Sequence, residues 1–373
     1  MPDAYGWQKD AYEAWRQSCF YGLLEAKTGA GKTLAGVLCL KSFLAEFPQT
    51  RPLVVTPRAD NVKMWQAALA EQGVTGVPVM TYAAAANRVL RGGLQADCLV
   101  ADECHHLVNQ GWGAVLKAAP EAVLGLSATP EGSVGVLGEP FIKVGFDEAR
   151  LCRFDIWLVA FRPTEEERAE YAKWSARMAH RAEEVAGQGV TNLPPGRDSK
   201  GWQCYDMLAL RRRAACYTMR SRLVHAVKIL KRNRGRRAMC FCERVKEAEA
   251  LQSMLRDEGL FASLYTGRDN ELTEFDTGRT DILIVVKKLR EGYNNPAIEV
   301  AVLCAVTTGA VSNEQTIGRI IRYNPARPDK HADIYCLLAD GTTDGRIRES
   351  LSYPQETLHR VQAASIEGGQ TTL

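Results

Sequence analysis

Histidine is scarce in this 373-residue chain, six in all, and none falls in an H-E-x-x-H or comparable ligand spacing. The commonest zinc-hydrolase pattern is thereby excluded. The eleven cysteines are odd in number and include no C-x-x-C pair, Cys240 and Cys242 merely alternating along one stretch. That argues against a disulfide framework or a zinc site and for buried thiols in a reducing, cytoplasmic compartment. No apolar run approaches the roughly 18 residues of a membrane span. The stretch 297–306 is interrupted by Glu299 and reads as a buried strand with its lead-in. The first ten residues carry no apolar signal core, so no membrane partner is expected. Charge of neither sign dominates, the net being +3. Overall charge therefore does not announce a nucleic-acid partner, and local charge must carry that argument.

What is present is an ordinary globular composition, 46% apolar and 24% charged, in a chain long enough for two domains. Short apolar runs alternate with helical stretches through the first 150 residues: 20–24, 53–56, 77–82, 97–102 and 122–126 read as strands. The rhythm predicts βαβ units and a parallel sheet covered on both faces. A charged helical stretch, 164–185, follows, then a Gly/Pro-rich loop, 186–201, then helix over 202–230. From Arg237 the βα rhythm resumes. The expected organisation is a first α/β lobe over 1–150 and a second over 151–345, with a helical insertion at about 164–235 and a C-terminal tail over 346–373.

Three segments carry chemistry. Ala26-Lys27-Thr28-Gly29-Ala30-Gly31-Lys32-Thr33 lies between a strand candidate and a helix candidate. Backbone N–H groups of such a turn cradle phosphate oxygens, the lysine reaches the β- and γ-phosphates, and the hydroxyl holds Mg²⁺. Asp102-Glu103-Cys104-His105 ends another strand. One carboxylate there can hold Mg²⁺ through water and the next can orient and deprotonate an attacking water. Gln315, Arg319 and Arg322 are spaced i, i+4, i+7. That spacing predicts one polar stripe on a helix, with two guanidiniums suited to a triphosphate in its transition state. A further signal is electrostatic: residues 211–237 hold eleven Lys or Arg and no Asp or Glu. Arg211, Arg212 and Arg213 open this block, which could neutralise phosphates.

In this order, these residues resemble a superfamily 2 helicase or translocase. The resemblance runs from Trp7 to about Leu338. Gln8 resembles the adenine-reading glutamine, and 26–33 matches the family's A-x-x-G-x-G-K-T. Thr56-Pro57-Arg58 and Thr81-Tyr82 resemble motifs Ia and Ib, which contact nucleic-acid backbone. Asp102 to His105 resembles a DExH box, Ser127-Ala128-Thr129 the coupling motif III, Arg290 to Pro296 with Gly292 motif V, and Gln315 to Arg322 motif VI. Motif V departs from the common form at Asn294 and Val286. Glu291-Gly292 followed by Pro296, with Ser312 shortly before Gln315, is most similar to the XPB-like, UvsW-like and type III restriction motors. The resemblance implies two RecA-like lobes, ATP and Mg²⁺ as ligands, and a nucleic-acid partner, with DNA favoured over RNA. In it Thr28, Gly29, Ala30, Gly31, Lys32 and Thr33 bind ATP, Thr33 and Asp102 hold the metal, and Glu103 prepares water. Gln315, Arg319 and Arg322 complete the site. Three functions fit: a helicase or branch-migrating translocase, the motor subunit of a restriction or defence complex, or an ATP-switched nucleic-acid clamp or annealing protein.

Overall fold

The computed structural model describes residues 6–118, 120–130, 132–146, 148–149, 151–187, 200–266, 269–286, 295–305, 310–351 and 353–367. It divides into two compact units, the first reaching to Cys152 and taking in Ile321–Asp329, the second starting at Arg153.

The first unit is built on a parallel sheet of β1 (Tyr21–Ala26), β2 (Pro52–Thr56), β3 (Val79–Thr81), β4 (Cys98–Asp102), β5 (Ala122–Ser127) and β6 (Ile142–Val144), in the order β3-β2-β4-β5-β1-β6. Its helices are α1 (Gly6–Gln17), α2 (Lys32–Glu46), α3 (Ala59–Glu71), α4 (Tyr82–Leu90) and the short α5 (Val134–Leu137). Both faces of the sheet are covered, so β4 and β5 are buried at every position, which is why they read as unbroken apolar runs. One apolar layer contains Trp15, Leu40, Phe43 and Trp65, the other Tyr82, Val89, Leu107 and Val115. Gly36 on α2 has a positional reason: a Cβ there would lie 2.7 Å from the Trp65 ring and 2.8 Å from Leu126. The glycine therefore lets the indole of α3 lie between α2 and the sheet.

The second unit is also parallel: β7 (Arg153–Phe161), β8 (Ala238–Cys242), β9 (Ala262–Tyr265), β10 (Ile282–Val286), β11 (Val300–Leu303), β12 (His331–Ala339) and β13 (Leu358–Gln362), in the order β13-β7-β12-β11-β8-β10-β9. Its helices are α6 (Glu165–Gly187), α7 (Lys200–Tyr217), α8 (Arg220–Arg232), α9 (Val245–Asp257), α10 (Leu272–Asp276), α11 (Ala310–Ile320) and α12 (Ala363–Glu367).

Three sequence expectations need correction here. The helix expected over 202–230 is two helices, broken at Thr218–Met219, where Met219 takes an extended ψ of 119°. Glu167 of α6 holds the new helix start by accepting from the Ser221 backbone N–H at 3.0 Å and from its hydroxyl at 2.6 Å. Only α6 and α7, which pack on each other, form the insertion. α8 belongs to the core, its stripe of Leu223, Val227 and Leu230 buried against the sheet. The segment 346–373 is not simply a tail: β13 pairs with β7 from Leu358↔Ile156 to Gln362↔Ala160, and Ala363 is buried.

Part of the basic block is engaged within the fold. Arg222 is fully buried, donating to Asp344 and to the Leu337 carbonyl, each at 2.5 Å. Lys231 pairs with Glu258 and Arg236 with Asp333, while Arg237 lies 4.0 Å from the Phe275 ring centre. Arg213 donates to the Tyr217 hydroxyl at 2.9 Å. Arg222 is thus the one basic residue of the block that α8 turns into the core, while Arg211, Arg213, Arg220, Lys228, Lys231, Arg232 and Arg234 remain exposed.

Candidate functional site

Parallel sheets place the ends of their strands on one edge, and ligands gather there. In the first unit that edge collects the chemistry-bearing segments. After β1 the chain enters the turn 27–31, whose Ala30 N–H donates to the Lys27 carbonyl at 3.1 Å. Gly29 and Gly31 take φ of 92° and 95°. A side chain at either would be strained, so glycine is what permits the turn. Gly31 is the residue before α2, so the turn delivers the backbone to a helix N-terminus. Lys32 is nearly buried, its ammonium donating to the Ala26 carbonyl at 3.1 Å across the loop. Thr33 follows in the first turn of α2. Gln8 of α1 donates to the Gly31 carbonyl at 3.0 Å, so the predicted base-reading residue also clamps the turn.

At the end of β4, Asp102 is buried and accepts from the Trp65 indole N–H at 2.9 Å. The Tyr82 hydroxyl donates to the Asp102 carbonyl at 2.9 Å. Burial, and then the charge of Glu103, lift the Asp102 carboxyl to about 6, while the Trp65 bond and Lys32 oppose the shift. A divalent cation at this carboxylate would favour its charged form.

Glu103 takes φ 51°, ψ 57°, a left-handed backbone for a residue with a side chain. Such conformations cost roughly 1–3 kcal/mol and cluster at active sites. Its Oε2 is buried without a hydrogen bond, 3.5 Å from His105 Nδ1. His105 Nδ1 in turn lies 3.3 Å from Ser127 Oγ at the end of β5, and that Oγ accepts from the Thr129 N–H at 3.1 Å. His105 Nδ1 thus stands between the Glu103 carboxylate and Ser127, hydrogen-bonded to Ser127. Behind it, His106 packs among Tyr82 and Trp112.

The residues fit a Mg²⁺-nucleotide. Thr28 Oγ1 is buried with no hydrogen-bond partner, and Glu103 Oε2 is a second unsatisfied oxygen at the same edge. Buried polar groups of this kind normally find a partner. The donors are hard oxygens, the Thr33 hydroxyl and Asp102 carboxylate, as Mg²⁺ prefers.

The segments resembling nucleic-acid contacts lie on the same edge. Thr56 and Thr81 are register partners at the ends of β2 and β3. Arg58 is exposed at the residue before α3, and the Thr81 hydroxyl caps α4 by accepting the Ala84 N–H at 3.2 Å. Arg211 is exposed on α7, Arg212 half-buried. Gly292 lies outside the described residues, as does the side chain of Gln315.

One expected alignment is overturned. α11 ends at Ile320, whose carbonyl accepts the buried Lys330 ammonium at 2.6 Å. Gln315 and Arg319 are on the helix, but Arg322 is beyond it, bridged to Leu151 in antiparallel fashion, with the Ile321 carbonyl accepting from Cys152 at 2.9 Å. Arg322 therefore does not extend a helical stripe with Arg319. Burial lowers the Arg322 guanidinium's pKa.

Sequence spacing missed the residues that orient Asp102, namely Trp65 and Tyr82. It also missed two clusters in the second unit. Cys240, Cys242 and Cys304 converge in the core, with Cys240 and Cys304 sulfurs 3.4 Å apart. Asp155 receives both His331, at 2.8 Å, and His359, at 2.6 Å, across three strands. A histidine so far from its partner in sequence leaves no local signal.

Comparison with known proteins accords with this geometry. Residues 221–324 match the helicase conserved C-terminal domain, and 75–132 match the type III restriction enzyme res subunit. A DNA 3'-5' translocase, XPB2 of Sulfurisphaera tokodaii, is 31% identical over 144 residues, covering 35% of this chain and 31% of that protein. Among solved structures, the ATP-dependent type ISP restriction-modification enzyme LlaBIII bound to DNA superposes with a TM-score of 0.65 at 14% identity, over 96% of this chain and 31% of its own. Dbp5 of S. cerevisiae bound to RNA and ADP BeF3 gives 0.61 at 13% identity, covering 99% of this chain and 92% of its own. The Pyrococcus furiosus Hef helicase domain gives 0.56 at 16% identity, covering 93% and 98%. These structural likenesses establish the fold: tandem RecA-like lobes.

Proposed function

We propose that the chain is a superfamily 2 motor, an ATP-driven DNA translocase or helicase acting on branched or duplex DNA. The observation that carries the reading is the convergence, on one sheet edge, of the turn 27–31, the Asp102–Glu103 pair and the Ser127–Thr129 segment, with His105 hydrogen-bonded to Ser127 and 3.5 Å from the Glu103 carboxylate.

In this reading Lys32 leaves the Ala26 carbonyl for the β- and γ-phosphates, and the turn's N–H groups cradle their oxygens. Mg²⁺, held by Thr33 and Asp102, supplies charge neutralisation to the triphosphate. Glu103 orients water and accepts its proton. Gln315, Arg319 and Arg322 serve the transition state, the two arginines with fixed positive charge. Movement of the Glu103 carboxylate is felt at His105, and through it at Ser127 and Thr129, which makes that path the link between hydrolysis and stepping. Gly292 joins this coupling, and Arg58 and Thr81 contact nucleic-acid backbone. The free state of all eleven cysteines supports action in a reducing cytoplasm, and among the described residues no helix is long and apolar enough to cross a membrane.

The test is ATP turnover with single-stranded, duplex and forked DNA and with RNA, paired with strand displacement. Stimulation by DNA with ATP-dependent displacement or translocation is expected. Turnover indifferent to every nucleic acid refutes the reading. A second reading, motor subunit of a restriction complex, is favoured by the res-subunit match over 75–132. Stimulated turnover without displacement, together with co-purification in a larger assembly, selects it. DNA binding gated by nucleotide without displacement or movement selects the clamp or annealing alternative.

A further inference from the structure

The α6–α7 pair carries a feature that the ATP site does not use. Trp174 on α6 is half-buried, and three cations lie around its ring: Arg177 at 5.0 Å, Lys173 at 5.4 Å and Arg211 of α7 at 5.9 Å from the ring centre. Beside it opens a groove of about 410 Å³ whose lining includes Trp174, Met207, Leu210, Arg211 and Arg244. Met207 and Leu210 are 60% and 63% exposed, unusual for large apolar side chains. Arg244 is exposed at the residue before α9, just beyond the end of β8. The groove thus reaches the strand-end edge of the second sheet.

Its one carboxylate is already engaged. Glu170 accepts the Trp174 indole N–H at 2.6 Å and the Lys173 ammonium at 3.1 Å. These two bonds lower its pKa and fix the indole by its nitrogen. What remains is an indole held by its nitrogen, with displaceable cations over its ring, two exposed apolar side chains and the guanidiniums of Arg211 and Arg244, with Arg177 beside them. A duplex offers such a surface phosphates and base edges but no base face, because its bases are stacked inside. Single-stranded nucleic acid offers both phosphates and unstacked base faces.

We propose that this groove binds single-stranded nucleic acid, a base stacking on Trp174 beside Met207 and Leu210 while Arg177, Arg211 and Arg244 take the flanking phosphates. The site deepens the motor reading and rests on it: it gives the second lobe a hold on the strand being moved, apart from the ATP edge of the first. It also separates Arg211 from Arg213, whose guanidinium is held by Tyr217 and belongs to the scaffold.

The experiment is fluorescence anisotropy of labelled oligothymidylate and oligouridylate on the full chain, over a range of salt concentrations. Wild type is compared with Trp174→Ala, Trp174→Phe and Arg211→Glu. Stacking contributes roughly 1–3 kcal/mol per base, so Trp174→Ala should weaken binding by about 5-fold or more, and Trp174→Phe should restore most of it. Arg211→Glu, an exposed change that spares the fold, should reduce the salt slope by about 0.7 per lost phosphate contact. Turnover without nucleic acid should stay at the wild-type level in all three. Wild-type affinity and salt slope in both Trp174→Ala and Arg211→Glu overturn the proposal and leave the motor reading intact. Failure of the wild-type chain to bind or respond to any nucleic acid overturns both.

Discussion

Trp65→Phe isolates the bond that orients the Asp102 carboxylate. The phenyl ring keeps most of the packing between α2 and the sheet and removes only the N–H that reaches Asp102 at 2.9 Å. A hydrogen bond to a charged group contributes about 1.5–3 kcal/mol. Asp102 is buried, so water does not readily replace it. The lost bond favoured the charged carboxylate, so its removal raises further a pKa that burial already holds at about 6. At about 1.36 kcal/mol per unit, the acid limb of ATP turnover should move up by about one to two pH units. Turnover is measured at saturating ATP across the pH range, with a thermal melt of each sample. Raising Mg²⁺ should pull the limb back, because cation binding competes with the proton. An unmoved acid limb in a variant that melts near wild type would refute the assignment of Trp65 as the group positioning Asp102.

Other outcomes follow from the same contacts. Lys32→Ala should weaken ATP binding and turnover together, whereas Glu103→Gln should bind ATP and lose hydrolysis. Near-wild-type turnover in Glu103→Gln would remove that carboxylate as the base. Arg222→Ala leaves Asp344 as an unpaired buried charge, and breaking such a pair costs about 3–5 kcal/mol. The urea midpoint should drop accordingly, and a pairing of Arg222→Met with Asp344→Leu should recover part of the loss. Burial, followed by the charge of His105, pushes the His106 imidazole down to about 4. The unfolded chain then binds more protons between about pH 6.5 and pH 4, so stability is present above that window and is lost as pH falls through it. For a half-buried ring the effect is on the order of 1–2 kcal/mol. His106→Phe should flatten the dependence of denaturation midpoint on pH, and an unchanged dependence would assign it to other groups.

Much of the first lobe was legible in sequence because its signals are local. A buried parallel strand must be apolar throughout, and the turn at 27–31 needs glycine where φ is positive. Asp102 ends such a strand and Glu103 follows it, and topology alone then brings them to the edge that holds Lys32. The second lobe was harder to read where its elements depend on distant partners. β7 pairs with β12, some 180 positions on in the numbering, and β13 is a half-exposed edge strand with no buried residue of its own. Neither has a local pattern that distinguishes it from a connecting segment.

Charge was the least transferable signal. The block 211–237 reads as one basic face, yet Arg222 is core, paired to Asp344, and Arg236 is tied to Asp333. Conversely, Trp174 has no local signal, and only the packing of α7 brings Arg211 to 5.9 Å from its ring centre. The i, i+4, i+7 spacing of Gln315, Arg319 and Arg322 presumed a helix, and Lys330, ten residues on, ends that helix at Ile320 by taking its carbonyl. The sequence by itself determined the strand–turn–helix units and the residue types at their ends, because backbone geometry and burial act over a few positions. Tertiary structure alone decided which carboxylate is oriented by which indole and which arginines still face solvent, because those outcomes depend on side chains brought together from distant parts of the chain.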